Sequence, residues 1–139
     1  MTGSDKTGLT VGQELPKLSH VPTATQLFRY SAVTWNPHRI HYEESYAATE
    51  GHPGLLAHSH LRAALALRCV TEGLPGWRLV ATDYRLRRPA TPGMTLVYGA
   101  RVTAVDGDTA ELEIFEEHPA GVHGLEGTAT VRRADKEAS

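Results

Sequence analysis

The segment that most constrains the fold is residues 54–73, which read as one apolar helix with defined ends. Ser59 is suited to cap the start of this helix, and Gly73 is suited to a left-handed position after its last turn. The sequence therefore predicts a helix over about residues 59–72. Its apolar positions cover most of the circumference: Leu61, Ala63, Ala64, Leu65, Ala66, Leu67, Cys69 and Val70. Because a helix that is apolar nearly all round is buried, we expect a sheet to wrap around it.

The sequence after Gly76 changes from helical to strand periodicity. Alternation of apolar and polar residues predicts four long strands, over 77–88, 95–105, 109–117 and 122–132. The residues expected to face the core are Val80, Thr82, Tyr84 and Leu86, then Ala110, Leu112 and Ile114, then Leu125, Ala129 and Val131. Upstream, we expect a short edge strand around Leu18 and a helix over 26–33 that packs through Leu27, Phe28, Tyr30 and Val33. Helices followed by an antiparallel meander indicate an α+β fold.

The size and charge of the chain favour one domain without a nucleic-acid partner. With 139 residues, we expect a single domain over 11–133, between a flexible leader (1–10) and a polar tail (134–139). The formal net charge of −2 gives no global attraction for nucleic acid. The single cysteine, the absence of an apolar N-terminal segment and the absence of a run of ~20 apolar residues predict a cytoplasmic protein.

Histidines gather in front of the apolar helix, where five of the eight lie between residues 38 and 60. His41 lies in an irregular stretch, residues 35–42, and His58 and His60 flank the predicted helix start. A histidine transfers protons near neutral pH, and the free N–H groups of a helix start stabilise an oxyanion. A loop histidine opposite a helix start is therefore suited to proton transfer at the carbon beside a carbonyl group.

Three segments resemble the MaoC-like hydratases and dehydratases. These are Phe28-Arg-Tyr-Ser-Ala-Val-Thr-Trp-Asn-Pro-His-Arg-Ile-His-Tyr-Glu43, Gly51-His-Pro-Gly-Leu-Leu-Ala-His-Ser-His-Leu61 and Tyr84-Arg-Leu-Arg-Arg-Pro-Ala-Thr-Pro-Gly93. Within that family, the sequence looks most like the type 2 hydroxyacyl-thioester dehydratases and the mesaconyl-CoA hydratases. The resemblance implies a hot dog fold, which is a curved antiparallel sheet around a central helix. It also implies a dimer, no cofactor, and an acyl thioester of coenzyme A or of a carrier protein beside the central helix.

The resemblance also implies roles for three positions. His41 matches the catalytic histidine of the family, and Asn36 stands where the family usually carries an aspartate. An asparagine orients water through hydrogen bonds but accepts no proton as a base. Ser59 stands where a family glycine supplies the backbone N–H that binds the oxyanion. The implied reaction is dehydration of a (3R)-3-hydroxyacyl thioester, or hydration of the 2-enoyl thioester, with His41 as acid and base.

Other interpretations of the same residues stay open. His58 and His60 are candidates for substrate binding, capping or an interface, and Arg85 and Arg88 for binding coenzyme A phosphates or for a solvated strand face. No spacing of histidines matches a trusted metal signature, so we expect no metal. Two further functions remain: a hot dog thioesterase, in which Glu43 or Glu44 would supply the carboxylate, and a non-catalytic or half-site subunit of a heteromeric dehydratase.

Overall fold

The computed structural model describes residues 8–134, which form five strands and three α-helices around one core. In chain order the elements are β1 (Leu18–His20), α1 (Ala24–Thr34), a 3-10 turn (Arg39–His41), α2 (Glu44–Thr49), α3 (Ser59–Gly73), β2 (Trp77–Leu86), β3 (Leu96–Asp106), β4 (Thr109–Glu117) and β5 (His123–Arg133). The predicted α+β order and the central helix are confirmed.

One curved antiparallel sheet holds all five strands, in the order β1-β3-β4-β5-β2. The β3–β4 hairpin closes at Asp106 and Thr109, where Gly107 takes a φ of +61° that a tight turn requires. Helix α3 packs against β1, β2, β3, β4 and β5. A sheet curved around one helix is the hot dog architecture, as the resemblance implied.

The core lies between α3 and the concave face of the sheet. The inward positions predicted on β4 and β5 are buried, namely Ala110, Leu112, Ile114, Leu125, Ala129 and Val131. From the helix, Ala66 and Val70 are fully enclosed, although Ala64 is exposed. Small side chains on α3 let the sheet approach its backbone closely, which is why an alanine-rich helix suits this place.

The predicted face of β2 is wrong in its first half. Leu79 packs against the core, whereas Val80 and Thr82 are exposed. The pairing of β2 with β5 shifts register between Leu79 and Ala81. Such a β-bulge adds one residue to one strand and so exchanges the inward and outward positions that strict alternation predicts.

The predicted packing of α1 is correct for Leu27 but wrong for Phe28 and Val33. Leu27 is fully buried, Phe28 is exposed, and Val33 is 84% exposed. The helix packs on the protein through the buried Leu27 and Ser31 and through the half-buried Tyr30, for which the prediction is also correct. It ends at Trp35, whose φ of 55° is left-handed and whose side chain is 88% exposed.

Helix α3 begins at Ser59 and ends at Gly73, close to the predicted bounds, but the capping roles predicted for these two residues are wrong. Ser59 is the first helical residue, and the cap is His58, which makes no side-chain capping bond. Gly73 is the last helical residue and has no positive φ. Its role is close packing, because a Cβ atom there would lie 3.1 Å from the Leu15 side chain.

The chain termini are only partly described. Residues 1–7 of the expected leader and 135–139 of the expected tail lie outside the described residues. Leu9 is buried in the core, so ordered structure begins before residue 11. Across residues 8–134, no helix combines the length and apolarity needed to cross a bilayer.

Candidate active site

The catalytic candidate His41 ends the 3-10 turn and is held by the segment that leads into α3. Its ring Nδ1 donates a hydrogen bond to the Leu56 carbonyl oxygen at 2.8 Å. The Leu56 N–H in turn donates to the Ile40 carbonyl oxygen at 3.0 Å. Because the carbonyl can only accept, Nδ1 carries the proton, and Nε2 of the neutral ring is left with a lone pair.

Asn36 is fixed at the end of α1 by its own backbone. Its N–H donates to the Ser31 carbonyl oxygen at 2.8 Å, and its side-chain Oδ1 accepts from the His38 N–H at 3.2 Å. The second bond closes a turn, a common use of asparagine. The side-chain NH2 group is thereby the part of the amide that remains for another ligand.

The structure brings Asn36, His41 and Ser59 to one depression, here called the inner cavity, of about 240 Å³. Its lining residues are Tyr30, Thr34, Asn36, His41, His58, Ser59 and His60. A second and larger depression of about 460 Å³, here called the arginine cavity, lies beside it. Its lining residues are Ile40, His41, Leu56, Ala57, Ser59, Arg62, Leu86, Arg87, Arg88 and Pro89. His41 and Ser59 line both cavities and so stand where the two meet.

Ser59 supplies a backbone donor at this junction. The first hydrogen bond within α3 runs from the Arg62 N–H to the His58 carbonyl oxygen at 3.1 Å. The N–H groups that precede Arg62 in the first turn therefore have no partner inside the helix, and the helix dipole adds positive potential there. A donor of this kind, next to a histidine lone pair, suits a reaction that builds negative charge on a carbonyl oxygen.

The predicted arginines separate into two places. Arg88 lines the arginine cavity, whereas Arg85 lies on the outer face of β2 beside Asp83 and Glu126. The reason is that β2 ends at Leu86, where the Arg87 and Arg88 N–H groups both donate to the Gly124 carbonyl oxygen. Arg87 lines the arginine cavity and also the outer surface next to Arg85, where its Nε donates to Glu126 at 3.2 Å.

The two histidines at the helix start differ in environment. His58 is only 2% exposed, and its Nε2 lies 2.8 Å from the Ser31 hydroxyl. Its ring stacks on His41 with centroids 3.7 Å apart and planes 18° apart. His60 is exposed, and its Nδ1 lies 3.0 Å from the Tyr84 hydroxyl.

Burial keeps both stacked histidines neutral near pH 7. Desolvation lowers the pKa of His41 below its usual 6.5, with the bond to the Leu56 carbonyl opposing and nearby His38 adding to the shift. Desolvation, followed by the proximity of His41 and His60, lowers the pKa of His58 to about 4. His41 therefore offers an unprotonated Nε2 at neutral pH, which is the state a general base requires.

One buried group was missed by the sequence reasoning. Arg62 of α3 lines the arginine cavity and donates through Nε to Glu116 at 2.9 Å. The signal was present, because Glu116 shares the inward alternation of Leu112 and Ile114, and Arg62 interrupts an apolar helix. An inward glutamate and a buried-helix arginine in one small domain predict an ion pair.

The carboxylates needed for a thioesterase are not in the inner cavity. Glu43 accepts a hydrogen bond from Arg39 Nε at 3.0 Å, and Glu44 is exposed at the start of α2. Over residues 8–134, no group of three or more histidine, cysteine, aspartate or glutamate side chains is arranged to hold a metal ion.

Comparison with known proteins gives a family match over more than half of the chain. The model of the family described as hydroxyacyl-thioester dehydratase type 2 matches residues 8–92. Among curated proteins, the mesaconyl-C(4)-CoA hydratase of Chloroflexus aurantiacus is 52% identical over 48 residues, which are 34% of this chain. That match spans only 17% of the hydratase.

Solved structures share the fold. The (R)-hydratase from A. caviae involved in PHA biosynthesis has a TM-score of 0.84 at 23% identity, over 90% of this chain and 97% of that one. A chain of the ChsH1–ChsH2 complex from Mycobacterium tuberculosis has a TM-score of 0.83 at 20% identity, over 89% and 98%. These similarities confirm the hot dog fold.

Proposed function

The chain belongs to the hydroxyacyl-thioester dehydratase type 2 family, and we propose that it interconverts (3R)-3-hydroxyacyl and 2-enoyl thioesters by removing or adding water. The observation that carries this proposal is the placement of His41 Nε2 and the first turn of α3 at the junction of two cavities. His41 Nε2 accepts a proton, and the N–H groups of the first turn of α3 bind an oxyanion. Together they meet the needs of a reaction at the carbon beside a thioester carbonyl.

In the dehydration direction, His41 Nε2 takes the proton from C2 of the acyl group. The negative charge that develops on the thioester oxygen is bound by the Ser59 N–H. The C3–O bond then breaks while the C2–C3 double bond forms, and the leaving hydroxide takes the proton from His41 and departs as water. Hydration is the reverse sequence, and no proton or electron is left over.

Asn36 orients the water or the 3-hydroxyl group through its side-chain NH2. Its Oδ1 is engaged by the His38 N–H, so the amide presents a donor to the inner cavity and no base. His41 therefore carries both proton transfers. This division differs from the aspartate-containing pattern that the family resemblance implies, in which a carboxylate at the position of Asn36 stands beside the histidine.

The arginine cavity is the proposed entry for the thioester handle, either coenzyme A or a carrier protein. Arg88 is exposed at its rim, where a guanidinium suits a phosphate. The similar chain in the ChsH1–ChsH2 complex works with an unlike partner, so we propose assembly as a dimer of like chains or with a related subunit. Among the strands of residues 8–134, β2 pairs only with β5, so its outer edge is available for that contact.

The test is hydration of crotonyl-CoA followed by loss of the enoyl-thioester absorbance. We expect turnover by the wild type and a loss of at least about 100-fold in kcat/KM in His41→Gln. The matched control is His52→Gln, since His52 lies in the turn before α3 and lines neither cavity. Equal turnover by His41→Gln and the wild type would refute the assignment.

Two other outcomes point to the other functions. Release of free thiol without hydration would indicate a thioesterase. No turnover by the purified chain, with activity restored by a co-expressed homologous subunit, would indicate a half-site role.

A further inference from the structure

The buried ring of His58 packs against two other rings. His41 stacks on it at 3.7 Å, and the Tyr30 ring of α1 lies at 4.7 Å with planes tilted by 58°. Face-to-face packing of this kind fixes the plane of a ring that would otherwise rotate freely about its last side-chain torsion. His58 is thus in direct contact with the proposed base.

The polar atoms of His58 are directed away from solvent. Its Nε2 is occupied by the Ser31 hydroxyl at 2.8 Å. Its Nδ1 is buried and has no hydrogen-bond partner among residues 8–134. A second proton on this ring would leave a buried charged donor without an acceptor, which is costly. This burial favours a role other than direct hydrogen bonding to substrate.

We propose that His58, anchored on Ser31, is the positioning residue of the site: its neutral ring supports one face of His41 and shields it from water, so that Nε2 points to the cavity junction. The inference rests on the proposed function. Two restraints act on His41 together, because the Leu56 carbonyl holds Nδ1 and the stack holds the ring plane. A base that is fixed in this way reacts faster, since small displacements of a reacting group are costly in rate.

Within residues 8–134, neither cavity that the pair lines has a carboxylate side chain in its wall that would hold a proton on either ring. The titratable and charged side chains that face it are Tyr30 from α1, His38 before the 3-10 turn, His60 from α3, and Arg62, Arg87 and Arg88 across the arginine cavity. None of these side chains is a carboxylate. Variants of His58 therefore change the exposure of the His41 ring to water without removing a neighbouring carboxylate.

The experiment compares His58→Phe with His58→Ala. The phenylalanine keeps a ring against His41, whereas the alanine removes it. We expect His58→Ala to lower kcat about tenfold with KM changed less than twofold, and to move the acidic limb of the kcat/KM profile to higher pH because water reaches His41. His58→Phe is expected to keep kcat within about threefold and the limb in place.

A second readout follows His41 directly by ¹H–¹⁵N correlation of its ring nitrogens during a pH titration. The wild type is expected to show the Nδ1–H tautomer, and His58→Ala a His41 pKa nearer its usual value. This measurement needs no turnover, so it separates failure of the positioning role from failure of the proposed function. Identical His41 titrations in the wild type and in His58→Ala would overturn the proposal.

A gentler variant covers the case in which His58→Ala does not fold. Ser31→Ala leaves the ring but removes its anchor, and Ser45→Ala, at an exposed serine of α2, is the matched control. We expect kcat to fall about threefold in Ser31→Ala only. No difference between the two serine variants in kcat and in the His41 titration would count against the anchor.

Discussion

Arg62 of the central helix and Glu116 of β4 form an ion pair with almost no contact with solvent. The side chains are 4% and 0% exposed, and Glu116 also accepts the Tyr98 hydroxyl at 2.8 Å. Arg62 Nη2 lies 3.3 Å from the Gly124 carbonyl oxygen. Most polar atoms of the pair therefore have partners, which is the condition under which a buried ion pair is tolerated.

Removing one member of this pair is expected to destabilise the fold strongly. Glu116→Ala leaves the Arg62 charge buried without compensation, which costs about 3–5 kcal/mol in free energy of unfolding. Glu113→Ala on the same strand breaks the exposed pair with Arg101 and is expected to cost about 1 kcal/mol or less. Urea unfolding measures both. Equal losses in the two variants would contradict the distinction.

The rate of hydration is expected to depend on the neutral form of His41. Its pKa is lowered below 6.5 by burial, so the base is unprotonated at neutral pH. The kcat/KM value is therefore expected to be constant at and above neutral pH and to fall in acid, with the limb at a lower pH than that of an ordinary histidine. A profile measured from pH 4.5 to 8 at constant ionic strength checks this. An acidic limb of the kcat/KM profile centred above pH 7 would show that another group is the titrating base, or that His41 is not buried as described.

Replacing Asn36 by aspartate is expected to shift the acidic limb of the kcat/KM profile to higher pH. A carboxylate in the inner cavity favours the protonated form of His41, which raises its pKa by about one unit. Gln26→Glu makes the same change of an amide to a carboxylate at the start of α1, outside the inner cavity, and should leave the limb unchanged. If both variants shift the limb equally, the shift comes from the added negative charge at long range and not from a carboxylate next to His41.

Acid is expected to destabilise the fold through His58. In the folded state its pKa is about 4, whereas the unfolded chain binds the proton near the usual 6.5. The unfolded state thus holds more protons between these values, so stability decreases as the pH falls from 6.5 to 4, by up to about 3 kcal/mol. His58→Phe should lose less stability over this interval. Urea unfolding at pH 7, 5.5 and 4.5 measures the difference between the two proteins.

The sequence was sufficient for the elements that depend on local pattern. The helix predicted over about 59–72 is observed as Ser59–Gly73, and the period of two located β3, β4 and β5. Both signals are strong. A helix that is apolar all round is stable only inside a small domain, and the apolar face of a strand is stable only against its core.

Features that depend on a single inserted residue or on distant contacts were not predictable. One bulge after Leu79 reverses the face of β2 without any change of composition. The stack of His58 on His41 joins an N-cap to a loop, and the bond from His58 to Ser31 joins residues 27 positions apart. No periodicity encodes such contacts. The structure brings Asn36, His41 and Ser59 to the inner cavity, and the roles that the family resemblance implies for them stay predictions.

Two hydrogen bonds join the 3-10 turn to Leu56, so the position of His41 relative to α3 does not depend on the segment between them. Residues 42–55 form a loop whose two ends are joined by the hydrogen bonds of Ile40 and His41 with Leu56. Within this loop only Ala47 and Leu55 are buried. We therefore expect a change of length within residues 48–50 to leave the distance from His41 to the start of α3 unaltered.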